Sequence, residues 1–386
     1  MEHLQRTISI LGELIAFPTV SSDSNLEMVS FLRDLLEDLG ARTRLTTDET
    51  GSKANLFATF GPEGDGGIVL SGHTDVVPVA DQEWQSDPFK LHAQDGRLFG
   101  RGACDMKGFI AAVLAMAPRL AAAASSRPLH IALTYDEEVG CIGARALIED
   151  LRREGLRPAV AIIGEPTMMQ VIEGHKGCCE YSTEFTGLEG HGAAPDKGVN
   201  AVEYAVRYTA RLMALAEELQ LRAPPDSRFE PPWSTLQIGR INGGIAHNVI
   251  AGSCQVDWEM RPVQAADGAF VRSAIDDYVD RTLRPAMREV APSAEIVRHV
   301  IGEVAGLEPV SENEALRIVS ALTGSNYADV VSFSTEAGLF QEYGLSCVVC
   351  GPGSIEQAHK PDEFVSLEQL SACLDMLTGL ERRLAG

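Results

Sequence analysis

Apolar positions in the first 175 residues fall into two alternating rhythms. Ser24 and Asn25 can cap a helix in which Leu26, Val29, Leu32, Leu36 and Leu39 recur at three- to four-residue spacing, and Gly40 stops the run. Residues 109–124 form an Ala-rich second helix. Between these lie short, nearly continuous apolar segments at 55–60, 67–71, 130–135 and 160–164, the pattern of strands covered on both faces. Strands alternating with helices predict an α/β layer, a largely parallel or mixed central sheet flanked by helices.

The rhythm changes near residue 177. Residues 180–186 alternate like a half-exposed strand, 200–219 read as a helix, and a Pro-rich segment follows at 223–233. Strands are expected at 234–241 and 253–260, and a second helix at 268–283. This predicts a smaller α+β domain at 177–290, inserted between residues 1–176 and 291–386 of the larger one. Buried patterns return in a core strand at 346–351, and Ser366 with Gln369 makes a capping box that opens a terminal helix.

The length of 386 residues suits two such domains better than one core. The chain carries 32 Lys+Arg against 55 Asp+Glu, a formal charge of −23, a poor match for a phosphate backbone, so nucleic acid is not an expected partner. No apolar run reaches the ~18 residues that a membrane helix needs. The N-terminus is interrupted by charge and lacks a small-residue cleavage site. Eight cysteines in so long a chain are not a disulfide framework, and a cytoplasmic location is expected.

Five polar clusters stand at the ends of predicted strands or just before helices. They are Ser71-Gly-His73-Thr-Asp75, Gly100-Arg-Gly-Ala-Cys-Asp105-Met-Lys-Gly108, Tyr135-Asp136-Glu137-Glu138-Val-Gly140, Ile163-Gly-Glu165-Pro-Thr167 and Gln357-Ala-His359-Lys-Pro-Asp362-Glu363. Any one alone reads as a cap, a turn or a solvated edge; Asp105, for instance, is placed to be an N-cap. Independent caps have no reason to gather at the same ends of so many buried elements, where open α/β sheets bind ligands. His73, Asp105, one of Glu137 and Glu138, Glu165 and His359 offer two imidazoles and three carboxylates, a mixed set suited to Zn²⁺, with Co²⁺ or Mn²⁺ as substitutes. Five ligands exceed what one catalytic zinc takes, and two metals sharing a carboxylate fit the count better. The spare glutamate is then a candidate base. Asp75 shares a face with His73 in extended chain and can orient it. The spacing of Cys347 and Cys350 within a strand points the two thiols to opposite faces, so they do not chelate one ion.

These five blocks resemble, in order and over essentially the whole chain, those of the dinuclear zinc aminoacylase/carboxypeptidase family of metallopeptidases. Gly174-His-Lys-Gly177, Ser334-Thr-Glu-Ala337 and Gly351-Pro-Gly-Ser-Ile355 resemble its acetylornithine deacetylase branch. The desuccinylase branch typically has Gly-Gly-Thr-Ser-Asp at 332–336. The resemblance implies a zinc-exopeptidase-like catalytic domain and an inserted ferredoxin-like dimerisation and lid domain. It implies that Asp105 bridges two zinc ions, His73 and Glu165 complete one, and Glu138 and His359 the other. Glu137 is then the base, Asp75 the partner of His73, and the peptide after Asp105 is cis. In the insert, His191 matches a histidine that reaches the partner subunit's active site, and Asn248 and Arg261 match positions holding the substrate's α-carboxylate. A guanidinium fork suits that task. The implied protein is a cytoplasmic homodimer that hydrolyses N2-acetyl-L-ornithine to L-ornithine and acetate. Succinyl-diaminopimelate hydrolysis and a broader aminoacylase or dipeptidase activity are its rivals within the family. A non-catalytic metal- or amino-acid-binding dimer is the rival outside it.

Overall fold

The computed structural model describes residues 2–385, which divide into two compact units. One contains the chain up to Gly174, Pro309–Val330 and everything from Thr335 onward; the other contains His175–Glu308 and Val331–Ser334.

The first unit is built on an eight-stranded mixed sheet in the order Arg42–Thr47, Ala54–Phe60, Leu129–Thr134, Ile68–His73, Val160–Pro166, Ser346–Gly351, Ile172–His175, Asp329–Val331. Leu129–Thr134, Ile68–His73, Val160–Pro166 and Ser346–Gly351 are mutually parallel neighbours. The first three are buried at every residue, which is why they read as unbroken apolar runs. Parallel neighbours end on the same side, so four loops leave the sheet side by side.

Helix Lys107–Ala123 is buried along nearly its whole length and packs against Glu2–Ile15 and Leu367–Leu384. Its alanines permit close approach on every side. Gly164 is required for the same reason: a Cβ there would lie 2.0 Å from Phe109 Cγ, so only glycine lets the strand pass the start of the helix. The helix begins at Lys107 with Met106 at its N-cap, so Asp105 is not the cap its position suggested. The Asp105–Met106 peptide is cis.

Two capping expectations are modified. Asn25 stands at the N-cap of helix Leu26–Asp38 but makes no side-chain cap bond. It is buried, and its amide is committed elsewhere: it donates to Ala54 O (2.9 Å) and Thr74 Oγ1 (3.0 Å) and accepts from Ala54 N (2.9 Å). Ser24 Oγ accepts from Leu26 N instead. At Leu367–Leu384, Ser366 Oγ accepts from Gln369 N (3.1 Å) as the capping box requires, but the Gln369 side chain accepts from Gly353 N.

The second unit has a four-stranded antiparallel sheet in the order Thr235–Gly243, Ser253–Arg261, Cys178–Thr186, Glu295–Val304. Helices Ala201–Gln220 and Ala265–Tyr278 share its apolar core. Read along the chain this is β-α-β-β-α-β, the ferredoxin-like arrangement. Its fourth strand lies beyond residue 290, so residues 291–308 belong to this unit and not to the larger one. A bulge between Val300 and Gly302 breaks the alternation of that edge strand and hides it from pattern reading. The second helix is also longer than 268–283: it starts at Ala265 and continues through a π turn into Arg284–Val290.

All eight cysteines are free, and Cys347 and Cys350 are buried in their strand. Among the described residues no helix is long and apolar enough to cross a membrane.

His130, in the strand Leu129–Thr134, is fully buried and stacks on Phe57 at 4.9 Å. Its Nδ1 bonds Thr59 Oγ1 (2.9 Å), and its Nε2 faces Gly67 without a partner. Burial, helped by Arg42, lowers its pKa from 6.5 to about 4. The folded state therefore holds it neutral while the unfolded chain protonates it below pH 6.5. Stability is lost as pH falls from 6.5 through about 4, by about 3 kcal/mol at ~1.4 kcal/mol per unit. In urea unfolding between pH 7 and 4, His130→Gln is expected to decline less steeply than the parent; equal slopes would reject this assignment.

Candidate metal centre

The parallel strands deliver four of the five clusters to one place, and the loop before helix Lys107–Ala123 brings the fifth, that of Asp105. His73 is the last residue of its strand. Its Nε2 lies 2.9 Å from Asp105 Oδ1 and 3.6 Å from Glu165 Oε1. Asp105 turns its other oxygen to His359, with Oδ2 at 3.4 Å from Nε2. His359 Nε2 is also 2.9 Å from Glu138 Oε2. One carboxylate thus faces two imidazoles that are separated by nearly three hundred residues.

Asp75 partners His73 as expected, and through two groups. The atom that meets His73 Nδ1 is the Asp75 backbone carbonyl, at 2.9 Å, while the carboxylate is at 3.5 Å. Donation from Nδ1–H to that carbonyl fixes the ring so that Nε2 is the atom turned toward Asp105 and Glu165. The Asp75 carboxylate accepts from Glu137 N (3.1 Å), Glu138 N (3.3 Å) and Ser21 Oγ (2.7 Å). Its main contacts therefore hold the backbone of the glutamate pair.

Donor atoms of His73, Asp105 and Glu138 lie within 4.8 Å of one another, and so do those of His73, Glu137 and Glu165. Glu137 Oε1 accepts from the Cys141 thiol at 3.4 Å. Residue types alone left Glu137 and Glu138 interchangeable. The contact with His359 distinguishes Glu138.

Four acids converge on two imidazoles, one buried (His73) and one exposed at the rim (His359). Burial raises Glu137 and Glu165 well above the usual glutamate range and Glu138 to about 7, with neighbouring carboxylates adding to the shift and the imidazoles opposing it. Hydrogen bonds to Asp105 and Glu138 raise His359 to about 10. Burial opposes the charge on His73, but bonds to Asp105 and Asp75 outweigh it and its pKa is raised. Asp105 is lowered because the two imidazoles overcome its burial. Glu138 Oε1 and Glu165 Oε1 are buried without a hydrogen-bond partner. Unpaired buried acceptors and excess negative charge are costly unless a cation meets them. The residues fit a metal: imidazole nitrogens and carboxylate oxygens, orphaned lone pairs and a charge deficit coincide.

Residues 69–382 match the family model described as peptidase family M20/M25/M40. The chain belongs to this family. Acetylornithine deacetylase from Pasteurella multocida is 35% identical over 387 residues, covering 98% of each chain. An M20 family metallo-carboxypeptidase from Sulfolobus solfataricus superposes with a TM-score of 0.74 at 16% identity, covering 98% of this chain and 99% of that one. A Bacillus subtilis M20 protein described as a dinuclear metal binding peptidase gives a TM-score of 0.64 at 16% identity, covering 98% and 97%. The chain is an M20 hydrolase of the metallopeptidase class, and the acidic centre supplies its candidate metal ligands.

The remaining predicted residues lie in the second unit. His191 and Asn248 are exposed neighbours: His191 pairs with Val249 across a short antiparallel ladder, and Gly192 N donates to Asn248 O (2.8 Å). His191 Nδ1 accepts from Ala193 N (3.1 Å), so the neutral ring carries its proton on Nε2. Arg261 ends its strand apart from that ladder, with two nitrogens on Glu259 Oε2 at 3.0 and 3.2 Å.

Two acids of the larger unit were missed as site residues. Glu336 is buried beneath the centre, accepting from Ser71 Oγ and from Thr134 Oγ1 (2.8 Å) at the ends of two strands. Glu363 is buried beside the Asp105 loop. Both lay inside quoted motifs, but nothing local distinguishes a glutamate that will be buried.

Proposed function

We propose that the protein is a two-metal deacylase that hydrolyses N2-acetyl-L-ornithine to L-ornithine and acetate, a step of arginine biosynthesis. The observation that carries the two-metal part is the Asp105 carboxylate, with one oxygen toward His73 and the other toward His359. In this reading Asp105 is shared, His73 and Glu165 complete one site, and Glu138 and His359 complete the other. When bound, the cations, Zn²⁺ or in its place Co²⁺ or Mn²⁺, would activate water and polarise the acyl carbonyl as Lewis acids.

The chain's own residues do the rest. Glu137 takes a proton from the attacking water as its oxygen joins the acyl carbon. It then gives a proton to the amine as the C–N bond breaks. His191 of the partner subunit donates from Nε2 to the developing oxyanion. Its fixed tautomer supports that role. Arg261 holds the α-carboxylate of the substrate, joined by Asn248 of the partner subunit, which lies beside the partner's His191; the guanidinium has donors left beyond those spent on Glu259. The name of the Pasteurella relative supports the substrate.

The test is turnover of N-acyl amino acids and dipeptides by the purified protein with added Zn²⁺ or Co²⁺. The highest kcat/KM is expected on N2-acetyl-L-ornithine. Turnover of succinyl-diaminopimelate with none of acetylornithine would overturn the substrate. A monomer by sedimentation equilibrium at assay concentration would remove the role given to the partner's His191.

A further inference from the structure

Glu363 stands four residues after His359, is 1% exposed and touches neither imidazole of the centre by any hydrogen bond in the structure. Its two oxygens instead receive four donors. Oε1 accepts from Cys104 N (2.8 Å) and Asp105 N (3.0 Å). Oε2 accepts from Gly102 N (3.0 Å) and Arg101 Nη1 (2.7 Å). One side chain on the His359 segment thereby binds three backbone N–H groups of the Asp105 loop, in a conformation where the loop cannot satisfy them itself.

The tie is reciprocal. Arg101, also 1% exposed, reaches Lys360 O (3.3 Å) and Gln82 Oε1 (2.6 Å). Gln82 in turn donates from Nε2 to His359 O (2.9 Å). Gly100 N donates to Glu363 O (2.9 Å). His359 needs such support: its side chain is 55% exposed, and its backbone has φ +62°, a conformation that L residues rarely adopt. Its place opposite Asp105 therefore depends on how the two loops are joined.

We propose that Glu363 is a positioning residue that couples the Asp105 carboxylate to His359 and so sets the affinity of the metal site they share with Glu138. This rests on the two-metal reading above. Charge-assisted bonds from four donors are strong individually, and a carboxylate is the only side chain that accepts all four. An amide in its place offers one acceptor oxygen and turns an N–H₂ group toward donors.

The experiment is titration of the metal-free full chain with Zn²⁺, followed by calorimetry, and with Co²⁺, followed by visible absorption. The parent is expected to bind two ions. In Glu363→Gln one of the two steps is expected to weaken by about 10–100-fold, the range for outer partners of metal ligands, with an altered Co²⁺ spectrum. The other step, which also uses Asp105 but not His359, should weaken less. A purely structural role would lower the melting temperature and weaken both steps alike, and that result overturns the proposal. So does parental affinity at both steps in a folded variant. If Glu363→Gln does not fold, Gln82→Ala, at a half-exposed position, decides: selective weakening of one step supports the coupling and unchanged binding overturns it. A parent that binds no metal sinks the two-metal reading and this proposal together; a parent that binds two with both variants unchanged sinks this proposal alone.

Discussion

Glu137→Gln is expected to lower kcat for acyl cleavage by about 10²–10⁴-fold while leaving metal content and KM near those of the parent. The exchange keeps the volume and the acceptor that faces the Cys141 thiol. It removes the ability to take up a proton. In the structure Glu137 lies within reach of His73 and Glu165 but, unlike Glu138, does not face His359. The two possible roles therefore give different results. A base loses turnover and keeps both ions; a ligand loses an ion as well. A kcat/KM profile adds a second readout, because the acid limb belonging to the base should vanish in the amide variant. Metal analysis showing fewer ions per chain in Glu137→Gln would move Glu137 to the ligand set, and parental turnover would remove it from the reaction.

Asp105→Asn is expected to have the larger effect on binding. No other carboxylate of the centre has one oxygen toward each imidazole, His73 at 2.9 Å and His359 at 3.4 Å. An amide keeps one acceptor oxygen and loses the charge that two cations would share. Both ions are expected to weaken by more than about 100-fold, since removal of an outer partner alone costs about 10–100-fold. Activity should fall with metal content. Equilibrium dialysis against Zn²⁺ measures it directly. Loss of a single ion would mean that Asp105 belongs to one site only, and parental affinity for both would end the shared-ligand reading.

These expectations trace back to features of very different visibility. The parallel strands Ile68–His73, Leu129–Thr134 and Val160–Pro166 were legible because burial on both faces leaves almost no polar position until the strand ends. His73, Asp105, Glu165 and the Glu137–Glu138 pair stood out for the same reason: polar residues interrupting apolar runs at equivalent points. The fourth strand of the smaller unit was not legible, because it is an edge strand with a bulge and only two of its ten residues are buried. Asn25 misled because its amide serves a strand and a threonine far along the chain in place of its own helix. Two-residue spacing placed Asp75 beside His73, with its carboxylate 3.5 Å from Nδ1; not legible was that its backbone carbonyl makes the closer contact and that its carboxylate also holds the Glu137–Glu138 backbone.

The order of apolar and polar positions was enough to define the strands, the buried helix and the five chemical clusters, since each depends on neighbours within a few residues. Which clusters meet depends on the strand order, and that order is set by packing over the whole chain. Leu129–Thr134 lies beside Ile68–His73, and Ser346–Gly351 lies beside Val160–Pro166, though more than fifty residues separate the first pair and nearly two hundred the second. The roles of Glu336 and Glu363 arise at the same level, because an acid becomes a structural acceptor only when distant donors are folded onto it and water is excluded.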